Sequence, residues 1–382
     1  MGRRKSTFRN ELRPLRTEPS ARDCPAANGA AAALNDSGRK LGHRTPFERG
    51  APIDILILSR EDVRALLPMG ECIDLMERAL SSLARGDAAM PVRTVFVKPD
   101  RSGVVGLMPG FIAAPRAAFG LKAVTVFPGN AERGLDSHQG AVLLLDPDTG
   151  RPQALLEGGE ITAIRTAAAS AAATRRLARG DAGDLAILGS GVQARRHVEA
   201  IRLVRKIRRV RIHGRTMASA RALAAAVGGE AVASAADAVR GADIVVTATA
   251  AREPVLFREW IAPGAHVNAV GACVPAAREI DTATIAAAAV FVDSRDAALV
   301  ESGDLLLPIR EGAIGANHVR AEIGAVFAGL APGRSSRDEI TLFKSLGVAV
   351  EDLAAATHVL EGARREGRGT RVPFSSDGEP AS

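Results

Sequence analysis

An apolar run, Leu185 to Leu188, leads directly into Gly189-Ser190-Gly191-Val192-Gln193-Ala194, and a helical pattern begins at Val192. This junction constrains the fold more than any other stretch, because of what surrounds it. From Asp184 onward, strand-like runs (DLAILG, RRVRIHG, EAVAS, DIVVTAT, HVNAVGA, VFVDS) alternate with helical patterns such as VQARRHVEAIRLV, MASARALAAAV and AADAVRG. Apolar strands joined by crossover helices predict an α/β fold with a doubly wound parallel sheet of the Rossmann type. The glycine loop then sits after the first strand and at the start of a helix, where a dinucleotide pyrophosphate binds. Gly189 allows the tight turn, Gly191 lets the backbone approach the phosphates, and the helix N-terminus favours their charge. Ala194 stands for the third glycine and still permits close helix–strand packing.

The second strand selects the cofactor. NAD-binding versions end it with an Asp or Glu for the ribose 2′-hydroxyl. Here it ends His213-Gly214-Arg215-Thr216. Arg215 offers a guanidinium to a 2′-phosphate and Thr216 a hydroxyl. NADP(H) is the expected cofactor, with NAD(H) possible.

Ahead of the loop, IDILILS (53–59) opens the folded chain and an amphipathic stretch covers 60–85. Short apolar runs closed by Gly or Pro follow to about residue 157, the pattern of an antiparallel sheet. Residues 160–178 are rich in alanine and predict a helix that packs closely against a neighbour. From 317 to 365 the chain reads as mainly helical, with a closing helix that includes KSLGVAVEDLAAATHVLEGAR. Residues 179–316 are assigned to the dinucleotide domain, 51–178 and 317–366 to a second domain, and 1–50 and 367–382 to disordered tails.

Charge supports the division. The chain carries a net charge of +7, but residues 1–50 hold 11 Lys and Arg against 5 Asp and Glu, so the folded body is nearly neutral. With no tyrosine and one tryptophan there is little aromatic surface for stacking bases, and nucleic acid is not an expected partner. No apolar run approaches the roughly 20 residues of a membrane span. Arg3-Arg4 invites an export reading, but no convincing apolar segment follows. Three scattered cysteines, Cys24, Cys72 and Cys273, form neither a disulfide framework nor a metal site, which fits the cytoplasm.

With these features in place, the chain resembles the ornithine cyclodeaminase/mu-crystallin family over about residues 53–365. The resemblance rests on PVRT (91–94), LMPGF (107–111), LKAVTVFP (121–128), SHQGAVLLLD (137–146), ITAIRTAAASAAAT (161–174), ILGSGVQA (187–194), VDSRDAALVESGDLL (292–306) and FKSLGVAVED (343–352). It implies a homodimer, an α+β substrate and dimerisation domain built from both chain ends, and hydride transfer at an amino- or imino-carboxylate carbon. It also implies that Arg93, Lys122 and Arg165 are the substrate-carboxylate and reaction-centre residues. Thr166, Gly189, Gly191, Val192, Gln193, Thr247 and Ser345 correspond to cofactor contacts, and Arg215 and Thr216 match the mu-crystallin form of the 2′-phosphate site.

The chemistry agrees. A planar guanidinium grips a carboxylate at two points, which suits Arg93 and Arg165. Lys122 lies in an apolar strand, where desolvation lowers its pKa and makes it a proton donor. Cys273 and Leu346 are placed in the substrate pocket. His138 either lines the site or is a hydrogen-bonded structural histidine.

Two positions depart from the cyclodeaminases. Cys273 stands where those enzymes carry an aspartate, and Gly106 where they carry an amine-holding glutamate. A thiol, with a reference pKa near 8.5, is a poor substitute for a carboxylate base. The expected function is therefore an NADP-dependent reductase of small 2-imino acids, such as pyrroline- or piperideine-2-carboxylate, on the ketimine reductase side of the family. Ornithine cyclodeamination, alanine-dehydrogenase-like deamination and non-catalytic binding of a small ligand with NADP are the alternatives.

Overall fold

The computed structural model describes residues 53–375; the tail expected at 1–50 lies outside them. Two eight-stranded sheets organise the chain. The main path of the first runs Thr370–Ser375, Ile53–Leu58, Pro152–Glu157, His138–Leu145, Ala118–Val126, Val104–Ile112 and Ala88–Ala89, with Thr94–Val97 paired to Val104–Ile112. Pairing is antiparallel throughout, except that Ile53–Leu58 and Pro152–Glu157 lie parallel. Along Val104–Ile112 the side chains alternate, burying Gly106, Met108, Gly110 and Ile112 on the inner face. Lys122 pairs with Met108 in register and shares that face.

Two long helices cover it. Gly158–Leu177 is almost wholly buried, and its small side chains bring it close to helices Met69–Arg85 and Val192–Val204. Ala349–Glu366 crosses the inner strands and carries Glu351 and Asp352 in its first turn, where the helix dipole favours negative charge.

The second sheet is wholly parallel, in the order Glu230–Ala231, Arg209–His213, Asp184–Leu188, Ile244–Thr247, His266–Ala269, Thr341–Lys344, Ala289–Val292, Val319–Glu322. Apolar clusters fill both of its faces. Strand order reverses beside Asp184–Leu188, which opens a crevice at the C-terminal strand ends.

Three expectations change. Thr341–Lys344 and Val319–Glu322 belong to the parallel sheet, although they fall inside the 317–366 segment assigned to the other domain. A central parallel strand is buried on both faces and shows no alternation, so TLFK reads as an extension of the alanine-rich pattern beyond it. The helix in fact starts at Ala349, after Gly347 turns the chain with a φ of 74°. Within 367–382, expected to be disordered, Thr370–Ser375 pairs with Ile53–Leu58 as an edge strand. Among the described residues, no helix is long and apolar enough to cross a membrane.

Candidate active site

The glycine loop is shaped by its neighbours. Gly189 has a φ of 128°, and a Cβ there would overlap the Ala248 carbonyl oxygen; its own N–H donates to the His213 carbonyl at 2.8 Å. Gly191 differs, since a Cβ there would meet nothing within 4 Å. It is the N-cap of Val192–Val204 and supplies no side-chain cap, so the first-turn amides keep their hydrogen-bonding capacity. Open space above uncapped amides at a strand-order reversal fits a pyrophosphate. Val192 is 58% exposed on the same turn. Gln193 donates to the Thr162 carbonyl at 3.3 Å, tying this turn to the helix that bears Arg165 and Thr166.

At the end of the second strand, Thr216 caps helix Met217–Val227, its hydroxyl accepting from the Ser219 amide. Ser219 also bonds Ser190 at 2.9 Å. Arg215 is exposed and makes no ion pair among the described residues. Three hydroxyls, those of Ser190, Thr216 and Ser219, thus gather beside Arg215 at the end of this strand.

Arg93, Lys122 and Arg165 meet in a buried cluster of charges. Lys122 Nζ lies 3.0 Å from Asp352 Oδ1, and Arg165 Nε donates to the same oxygen at 2.9 Å. Arg165 also reaches Glu351 Oε2 at 2.6 Å. Arg93 pairs with Glu301 at 2.9 Å and donates to the Leu346 and Gly347 carbonyls at 2.9 and 2.8 Å. Asp293 fixes that same turn by accepting from the Leu346 and Gly347 amides, each at 2.6 Å. Gly347 is required here, because a Cβ would collide with the Arg165 guanidinium. A cavity of about 120 Å³ adjoins Arg93, lined also by Met90, Met108, Glu301 and Val348. A larger hollow of about 210 Å³ between Arg202, Arg209 and Gly229 contains none of these groups.

Burial sets the electrostatics. It lowers the Lys122 ammonium from 10.5 to about 8, although Asp352 pulls the other way. Burial raises Glu351 to about 7 against the pull of Arg165. Burial opposes the charge of Arg165 too, but the flanking Asp352 and Glu351 carboxylates prevail and its pKa rises. The arginine forks are therefore already partly engaged, which corrects the expectation of a full two-point grip from each. Among the described residues, no hydrogen bond engages Arg93 Nη1 or Arg165 Nη2.

The remaining expected residues fall around this cluster. Ser345 is buried with no hydrogen-bond partner for its hydroxyl among the described residues, next to the Leu346 and Gly347 carbonyls that hold Arg93. Cys273 Sγ lies 3.4 Å from the Val270 carbonyl and 4.0 Å from that of Ser345, and burial raises its pKa, so it is a poor nucleophile at neutral pH. Thr247 donates to the buried Glu279 carboxylate at 2.8 Å, so its hydroxyl is already engaged. His138 lies on the Lys122 face of the sheet, exposed, with Nδ1 3.0 Å from the Ser137 hydroxyl. Sequence reasoning missed the acids Asp293, Glu301, Glu351 and Asp352. The signal available for the last two was VED, two acids in the first turn of an alanine-rich helix that has little polar face to receive them.

A glycine loop at the reversal of a parallel sheet, linked to three cations gathered on buried acids, defines the class: a dinucleotide-binding α/β protein with a site for a small carboxylate. The chain belongs to the ornithine cyclodeaminase/mu-crystallin family, whose model matches residues 54–367. It is 42% identical over 310 residues to the ketimine reductase mu-crystallin of Mus musculus, covering 80% of this chain and 96% of that relative. Among solved structures, Thermococcus litoralis Delta(1)-pyrroline-2-carboxylate reductase in complex with NADH and L-proline matches with a TM-score of 0.81 at 40% identity, covering 83% of this chain and 100% of that one. An archaeal alanine dehydrogenase dimer with bound NAD matches with a TM-score of 0.80 at 34% identity, covering 85% and 100%.

Proposed function

We propose that this protein is an NADP(H)-dependent reductase of small 2-imino acids, working as a cytoplasmic homodimer. The observation that carries the reading is Lys122, buried and still charged at neutral pH, beside two arginines with a donor edge each to spare. The similarity to a ketimine reductase and to a pyrroline-2-carboxylate reductase supports the substrate class.

Arg93 Nη1 and Arg165 Nη2 hold the substrate carboxylate, and the 345–347 turn keeps it next to the cofactor side of the crevice. Gly191, Val192 and Gln193 hold the pyrophosphate, Thr166 and Ser345 the nicotinamide end, and Arg215 with Thr216 the 2′-phosphate. When bound, NADPH supplies the hydride that reduces the imine carbon. Lys122 Nζ gives its proton to the imine nitrogen, and Asp352 stabilises the charge that Lys122 holds before transfer. Cyclodeamination is disfavoured because Cys273 and Gly106 place no carboxylate for the amine.

The dimer reading rests on the outer face of the first sheet. Phe96 is 63% exposed and Leu107 43%, and Phe111 and Phe119 pack edge to face in the open with their centroids 6.4 Å apart. A contiguous apolar face of this kind calls for a cover, and a second copy supplies it. Cys72 and Cys273, both free, suit the cytoplasm. The test is NADPH consumption by purified protein across cyclic and linear 2-imino acids. Turnover of at least one cyclic imino acid, faster with NADPH than with NADH, is expected; no turnover across the series contradicts the reading.

A further inference from the structure

Lys122 and Arg165 come from a strand and a helix far apart in sequence, yet both end on a single atom. Asp352 Oδ1 lies 3.0 Å from Lys122 Nζ and 2.9 Å from Arg165 Nε, with all three side chains buried. Asp352 Oδ2 is buried without a hydrogen-bond partner among the described residues. An aspartate that served only to hold helix Ala349–Glu366 against the sheet would gain most by engaging both oxygens, since an unpaired buried acceptor is costly. Here one oxygen joins two cations of different roles and the other is left over.

We propose that Asp352 is a positioning residue of the reaction, aiming the proton donor Lys122 and the carboxylate anchor Arg165 with one oxygen and keeping Lys122 protonated until substrate arrives. The other groups facing Lys122 cannot do this. Arg165 from helix Gly158–Leu177 and Arg93 from the loop before Thr94–Val97 both repel its charge, as does a protonated His138 from the neighbouring strand. Glu351, on the same helix as Asp352, is committed to Arg165. Among the described residues, Asp352 alone both touches Lys122 and opposes its desolvation. The bond also ties the reaction centre to the helix that starts just beyond the Ser345–Gly347 turn, whose carbonyls hold Arg93.

The inference rests on the reductase reading, because it takes Lys122 as the proton donor, and its test has an arm independent of turnover. Lysine labelled with carbon-13 at Cε gives an NMR titration of Lys122, assigned by its loss in Lys122→Met. The wild-type midpoint is expected at about 8. In Asp352→Asn, which keeps the shape and removes the charge, Lys122 should bind its proton at least about tenfold more weakly. The alkaline limb of kcat should move down by the same amount. A folded Asp352→Asn protein with an unmoved midpoint overturns the positioning role, and if that protein still turns over imino acids the reductase reading survives alone. A moved midpoint, when the wild-type protein reduces no imino acid, upholds the coupling and sinks the reductase reading. Should Asp352→Asn not fold, Asp352→Glu decides. It retains the charge but lengthens the reach, so the midpoint should stay while kcat falls at least about tenfold; wild-type kcat in that variant overturns the proposal.

Discussion

Lys122 holds its proton loosely enough to give it away near neutral pH. Burial lowers its pKa from 10.5 to about 8, so the charged donor predominates below that pH and is lost above it. Reduction should therefore show a flat kcat up to about pH 8, then a fall of about tenfold per pH unit. Oxidation of the amino acid, which needs the neutral amine as base, should rise through the same pH. A pH–rate profile in both directions checks this; a reductive limb that begins only near the ordinary lysine value contradicts it. Lys122→Met should abolish the limb and most of the rate. Arg215 carries the second prediction at this scale. A charge-assisted bond to the 2′-phosphate contributes about 1.5–3 kcal/mol, roughly ten- to a hundredfold in affinity. Arg215→Ala should raise the NADPH Kd by that factor and leave NADH nearly unchanged, as read by calorimetry. The three cations were legible because each stands in a short motif. Their acids were not, because Lys122 and Asp352 are 230 residues apart and Arg165 and Glu351 186, distances at which sequence offers no pairing signal.

At the scale of the element, the two loop glycines have different duties, and the difference is measurable. Gly189 is fixed by its backbone angle and by the Ala248 carbonyl, so Gly189→Ala should cost about 1–3 kcal/mol of stability before any ligand is added. Gly191→Ala adds a methyl to open space and should leave the melting temperature nearly unchanged. Its cost should appear in NADPH affinity, about ten- to a hundredfold, because the methyl occupies the path of the pyrophosphate. Thermal unfolding with and without NADPH separates the two. Equal destabilisation of both apo-proteins contradicts the assignment of Gly191 to the ligand. Strand–helix alternation after Asp184 was legible because crossover helices leave clear amphipathic periods between apolar strands. Thr341–Lys344 was not legible. Its four residues are buried on both faces, and its partners, His266–Ala269 and Ala289–Val292, are supplied by distant segments.

At the scale of the whole molecule, the two ends of the folded chain meet in the first sheet, where Ile53–Leu58 pairs with Thr370–Ser375, while every strand of the second sheet lies between Asp184 and Lys344. In the proposed dimer, the apolar outer face of the first sheet is the contact between copies. Phe96→Glu combined with Leu107→Glu places two charges on that face, and the protein should run as a folded monomer in light scattering, with its far-ultraviolet circular dichroism retained. An unchanged dimer would place the contact elsewhere.

The central claim is that the cluster formed by Arg93, Lys122 and Arg165 reduces a preformed imine and does not expel ammonia from a diamino acid. One comparison tests it most directly: kcat/KM for Δ1-pyrroline-2-carboxylate with NADPH, set against the rate at which the same preparation converts ornithine to proline and ammonia. Because Cys273 and Gly106 supply no carboxylate for the amine, the first should be readily measured and should collapse in Lys122→Met, while the second stays at background. Efficient formation of proline and ammonia from ornithine, with the pyrroline carboxylate left unreduced, would contradict the account.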